Sequence, residues 1–104
     1  MKKDNFKTDV IFRVDTTKDF KGQVFAVFPH DVTTTRGEIG MYCHVGQHSS
    51  ADYNACISQS RPATEKEAKD LKNELENAVG YNLNVMKRRN YNKYLKDYYR
   101  VIEL

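Results

Sequence analysis

The stretch QVFAVFP, residues 23–29, limits the architecture more than any other part of this chain. Successive side chains of a strand point to opposite sides. Here both sides are apolar, with Val24, Ala26 and Phe28 on one and Phe25 and Val27 on the other. Such a strand belongs inside a sheet that is covered on both faces. The fold must therefore supply two covering layers, and 104 residues suffice for one domain, residues 1–104, with one modest core. Pro29 has no amide to give a ladder and is expected to end the strand.

The neighbouring segments supply partners and cover. TDVIFRV (8–14) is rich in β-branched and aromatic residues and reads as a strand, and DTTKDFKG (15–22) suits a hairpin connection. Residues 30–40, HDVTTTRGEIG, read as a long polar loop. MYCHV (41–45) is expected to be a third strand, with Met41, Cys43 and Val45 on one face and Tyr42 and His44 on the other. From Gly46 the chain reads as a turn into a short helix, with Ser49 or Ser50 as its cap, Asp52 in the first turn, and SRP (60–62) closing the segment. Thr64 followed by Glu67 is a capping box, and Ala68, Leu71, Leu75, Ala78 and Val79 repeat at three and four. With Gly80 placed for a left-handed end, this predicts a helix over 65–79.

YNLNVMK (81–87) alternates Leu83 and Val85 inward against Asn82 and Asn84 outward, as a strand with one wet face. After it, Tyr91, Tyr94, Leu95, Tyr98 and Ile102 follow helical spacing. The order is β-β-β-(short α)-α-β-α. It predicts an α+β fold, a small antiparallel-rich sheet of about four strands packed against two or three helices.

Twelve aromatic residues argue against disorder, because they bring large area for burial. No apolar run approaches the roughly 20 residues of a membrane span, so no membrane association is expected. The opening MKKDNFKTD lacks the apolar segment of a secretory signal. The expectation is a cytoplasmic protein with reduced thiols at Cys43 and Cys56.

YCHVGQHSSADYNAC (42–56) holds the residue types of a reactive or metal site. Cys43, His44, His48 and Cys56 are all zinc-type ligands, but the spacing C-H-x3-H-x7-C has no C-x2-C knuckle and no His pair on one helix. Strand alternation sends Cys43 and His44 to opposite faces, which also separates a Cys-His catalytic pair. Core filling is the ordinary role of a free thiol. Ser49 and Ser50 lack a G-x-S-x-G elbow, and no P-loop, G-x-G-x-x-G or H-E-x-x-H occurs. No catalytic residue, metal or cofactor is assigned, and the reading leans away from an enzyme. Gln47, His48, Ser49 and Ser50 remain as a polar contact surface, or as residues that only cap and brace a turn.

The net charge of +3 is unevenly spread. Residues 87–104 carry six cations, Lys87, Arg88, Arg89, Lys93, Lys96 and Arg100, against Asp97 and Glu103. Interleaved with tyrosines, Arg88, Arg89, Lys93, Lys96 and Arg100 form a candidate surface for a nucleic acid or another polyanion. The competing reading makes the tyrosines a core-facing stripe and the cations its solvated side.

Several segments together resemble a family of small proteins encoded by gut-bacterial phages, plasmids and integrative elements: VIFR (10–13), VFAVFP (24–29), YCHVGQHSSADY (42–53), SRPAT (60–64), KDLKNELE (69–76) and GYNLNV (80–85). They span most of the chain in order, whereas the Tyr-rich end after Arg89 is particular to this sequence. The resemblance implies no reaction, cofactor or catalytic residue. It implies an accessory protein of a mobile element that engages a host protein or complex. The expected function is thus a non-enzymatic binding module; the alternative is nucleic-acid binding through residues 87–100.

Overall fold

The computed structural model describes residues 7–44 and 47–103. Among the described residues six strands form one mostly antiparallel sheet: β1 Thr8–Asp15, β2 Val24–Val32, β3 Ile39–Tyr42, β4 His48–Ala51, β5 Ser60–Pro62 and β6 Leu83–Val85. The order across the sheet is β4-β3-β2-β1-β5. β6 also lies on β1, in parallel register. Three helices cover the sheet: α1 Tyr53–Ser58, α2 Glu65–Asn73 and α3 Tyr91–Ile102. The fold is α+β as expected, with two strands more than the sequence suggested.

β2 lies at the centre and is apolar on both sides, and two separate core layers result. Val10, Phe12, Ala26, Phe28 and Tyr42 meet Ala68, Leu71 and Leu75 beneath α2. On the other face Ile11, Phe25, Val27, Val32 and Ile39 form a second layer, joined by Tyr53 and Cys56 from the α1 side and Tyr94, Tyr98 and Val101 from α3. The tyrosine stripe is therefore core-facing, although Tyr91 and Ile102 remain exposed.

Pro29 does not end β2. The strand continues to Val32, but its register against β3 shifts between Phe28 and Val32, so the residue without an amide sits where the ladder is interrupted. Residues 30–40 are correspondingly not one loop. Val32 and Ile39 are both buried and close the second core layer, with Thr33 N–H donating to the Glu38 carbonyl at 2.8 Å to start the connection between them.

Between β3 and α1 the chain forms a hairpin rather than a simple turn. Cys43 N–H donates to the Gln47 carbonyl at 3.1 Å, and β4 pairs antiparallel with β3. Val45 and Gly46, assigned above to a strand end and a turn, lie outside the described residues. Ser49 and Ser50 are strand residues and do not cap α1; the cap is Asp52, whose carboxylate accepts from Ala55 N–H at 2.9 Å. Pairing with β3 uses the extended backbone as far as Ala51, so Asp52 is the first position free to turn into a helix.

The capping box at Thr64 is present in both directions: Thr64 N–H donates to Glu67 at 2.9 Å and Glu67 N–H to the Thr64 hydroxyl at 3.1 Å. The apolar stripe holds through Leu75 but not to Ala78 and Val79, which are exposed. From Glu74 to Val79 the helix widens into a π-helical turn, and its longer period carries the last two apolar positions off the buried face. Gly80 then closes it at φ +95°. Leu83 packs inward as expected, but Val85 is 52% exposed.

Candidate functional site

Among the described residues β4 is an edge of the sheet with no strand beyond it. In an antiparallel pair, residues that exchange both hydrogen bonds alternate with residues that exchange none. Because Cys43 and Gln47 are bonded, the bonded pairs continue at Met41/Ser49 and Ile39/Ala51. The backbone amides and carbonyls of His48 and Ser50 consequently face away from β3. No backbone partner meets them among the described residues. Gln47, His48, Ser49 and Ser50 are all exposed. The His48 ring packs edge-on against Tyr42, centroids 4.6 Å apart, and the Ser50 hydroxyl meets that of Thr33 at 2.6 Å. These contacts brace β4 and leave its outer rim open.

The basic C-terminal residues do not form one surface. Arg89 lies over the rings of Tyr53, Tyr91 and Tyr94 at 4.3, 5.1 and 4.4 Å, and its amide donates to the Tyr53 hydroxyl at 3.1 Å, so it ties α1 to α3. Lys93 is paired with Asp9, and Arg100 with Asp97 at 2.8 Å. Hydrogen bonds do the rest at Asp97: burial alone raises its carboxyl, but Arg100 and the Val32 amide outweigh that and hold it below its ordinary value. Arg88 and Lys96 are exposed and take no part in these pairs.

A polar cluster that the sequence reading missed lies beneath the start of α3. Asp9 and His30 have side chains only 7% exposed. His30 Nδ1 lies 2.8 Å from Asp9, and its Nε2 accepts from Asn90 N–H at 2.8 Å. With Nε2 an acceptor, Nδ1 carries the proton and donates to the carboxylate. Asn84 Nδ2 donates to the second Asp9 oxygen at 2.9 Å, and Lys93 completes the set. Burial raises the Asp9 carboxyl, but the hydrogen bonds from Lys93, Asn84 and His30 prevail and bring it down to about 2. Since both imidazole nitrogens are engaged within the fold, the cluster anchors α3 to β1 and β6 and leaves no free base. No local pattern marks it, because Asp9, His30, Asn84 and Lys93 lie far apart in the chain.

β3 ends at Tyr42, short of the expected strand 41–45, yet Cys43 and His44 just beyond it still part to opposite sides. Cys43 and Cys56 pack on the second core layer, whereas His44 Nδ1 turns to Glu74 at 2.9 Å on the other side. Among the described residues no three His, Cys, Asp or Glu side chains gather as metal ligands. Burial pushes both thiols up, with Asp15 adding to the effect at Cys43 and Asp52 at Cys56. Native protein should therefore react with a thiol reagent at least about tenfold more slowly than denatured protein. Equal rates, followed by mass spectrometry, would place these thiols outside the core.

No protein-family model, curated protein or solved structure matches the chain. Among the described residues no helix is long and apolar enough to cross a membrane.

Proposed function

We propose that this protein is a non-enzymatic binding module, a cytoplasmic accessory protein of a phage or mobile element that engages a host protein or complex. The observation that supports this reading is the open edge of β4, where His48 and Ser50 present unpaired backbone groups and Gln47–Ser50 are exposed. An extended segment of a partner can add there as a further strand, main-chain bonds supplying affinity and alternate side chains specificity. An edge left open is also a liability in solution. Its four polar residues limit indiscriminate pairing.

The basic terminus supports nucleic-acid binding less well, because Arg89, Lys93 and Arg100 are committed to Tyr53, Asp9 and Asp97. The test is capture from host lysate, with and without nuclease, by wild type and by Ser50→Pro. Proline at 50 removes an outward amide and spares the β3 ladder. The expected result is a protein partner retained after nuclease, lost by Ser50→Pro, whose binding slows hydrogen exchange at His48 and Ser50. Capture abolished by nuclease, or indifferent to Ser50→Pro, overturns the proposal.

A further inference from the structure

At the sheet edge opposite β4, β1 is shared by two strands that part from each other. β6 pairs with Thr8–Val10 and β5 with Arg13–Asp15. Between them the chain leaves β5 at Ala63 to cap α2, and leaves β6 at Met86 toward α3. Phe12 stands at this fork. Asp15 N–H bonds to the Gln23 carbonyl, which by alternation directs the odd-numbered residues of β1 to β2 and the even-numbered ones to the fork side. Thr8 and Val10 find partners at the two ends of β6: Thr8 N–H donates to the Asn82 carbonyl at 2.8 Å, and Met86 N–H donates to the Val10 carbonyl at 2.8 Å. The Phe12 carbonyl accepts from Ala63 N–H at 3.1 Å. Its own N–H meets no acceptor among the described residues, although Phe12 is only 6% exposed.

A ladder amide without a protein acceptor is unusual, since nearly all such groups are paired. This one faces a cleft of about 780 Å³ between α2 and the ends of β5 and β6, within the size range of small-molecule sites. Ala63, Ala68, Val85 and Met86 give the cleft apolar walls. The exposure of Val85 is explained here: it shares the face covered by α2 but borders the gap that α2 leaves. Lys69, Lys72 and Lys87 also line the cleft, are exposed, and have no ion-pair partner among the described residues. Glu65 is the one acidic residue in the lining.

We propose that this cleft binds an organic anion, an apolar body bearing an oxyanion. The three ammonium groups draw the charge in, the apolar walls take the body, and the Phe12 amide donates to an oxygen of the ligand. Apolar area gives affinity in such a site while a few placed polar groups set orientation. The site is independent of the β4 edge, and either can fail without the other.

The probe is 1-naphthyl phosphate, titrated into 15N-labelled full-length protein, with inorganic phosphate and 1-naphthol as arms that carry only the charge or only the body. In free protein the Phe12 amide should exchange faster than those of Val10 and Val14. On titration its resonance should move and saturate, and each fragment should bind at least about tenfold more weakly than the whole probe. Lys69→Gln, Lys72→Gln and Lys87→Gln combined should weaken the probe by about tenfold or more. All three side chains are exposed, so the melting temperature should stay unchanged. A Phe12 resonance that does not move, 1-naphthol binding as tightly as the phosphate, or wild-type affinity in the triple variant overturns the proposal.

Discussion

Asp9→Ala should cost about 3 kcal/mol of folding stability, which in a domain of this size lowers the melting temperature by roughly 10–20 °C. The loss comes less from the exposed Lys93 than from His30, which is 7% exposed and whose Nδ1–H is left without an acceptor. Lys93→Ala should cost no more than about 1 kcal/mol, since that side chain is 57% exposed and returns to water. Equal effects of the two substitutions in thermal denaturation would show that the ion pair, rather than the buried carboxylate, holds the cluster together.

The same residue gives a signed pH dependence. The Asp9 carboxyl falls from an ordinary 3.8 to about 2 in the folded protein. A carboxyl depressed by folding stabilises above its unfolded value, and that contribution fades as pH falls through the folded one. Stability should therefore drop between about pH 4 and pH 2, and Asp9→Asn should flatten that limb. Unchanged acid unfolding in Asp9→Asn would remove Asp9 as its source.

Gly37→Ala should cost about 2–4 kcal/mol, and two causes combine there. Gly37 has φ +86°, a left-handed conformation that an alanine resists. A Cβ at this position would also stand 2.5 Å from the Tyr94 hydroxyl, which donates to the Gly37 carbonyl at 2.8 Å. Gly22 separates the causes, because it has φ +90° and nothing within 4 Å of a Cβ. Gly22→Ala should cost only about 1 kcal/mol, the backbone part alone. In a Tyr94→Phe background the hydroxyl is gone, so the Gly37→Ala loss should shrink and the two substitutions should not add. Full additivity in urea denaturation would mean that the close approach contributes nothing.

How much of this was legible in the sequence depended on the reach of the forces involved. The two-sided apolar pattern of β2, the Thr64–Glu67 capping box, Gly80 and the tyrosine stripe of α3 are local, and each was readable from spacing alone. β4 and β5 were not, because HSSA and SRP are short, polar and without alternation. They are strands only because β3 and β1 offer them open edges. Residues 30–40 read as one polar loop, whereas pairing of β2 with β3 brings Val32 and Ile39 into one core layer.

The candidate sites divide in the same way. The sequence by itself determined that Cys43 and His44 part to opposite sides, since the extended backbone of β3 runs on past Tyr42 to the Cys43–Gln47 hydrogen bond. It determined equally that a sheet with a two-sided central strand would need cover on both faces. Only the tertiary structure decided that Gln47–Ser50 lie along a free edge, that Lys93 and Arg100 are bound to Asp9 and Asp97, and that the Phe12 amide faces a cleft. Each of these depends on pairing between residues far apart in the chain, which no local pattern of residues encodes.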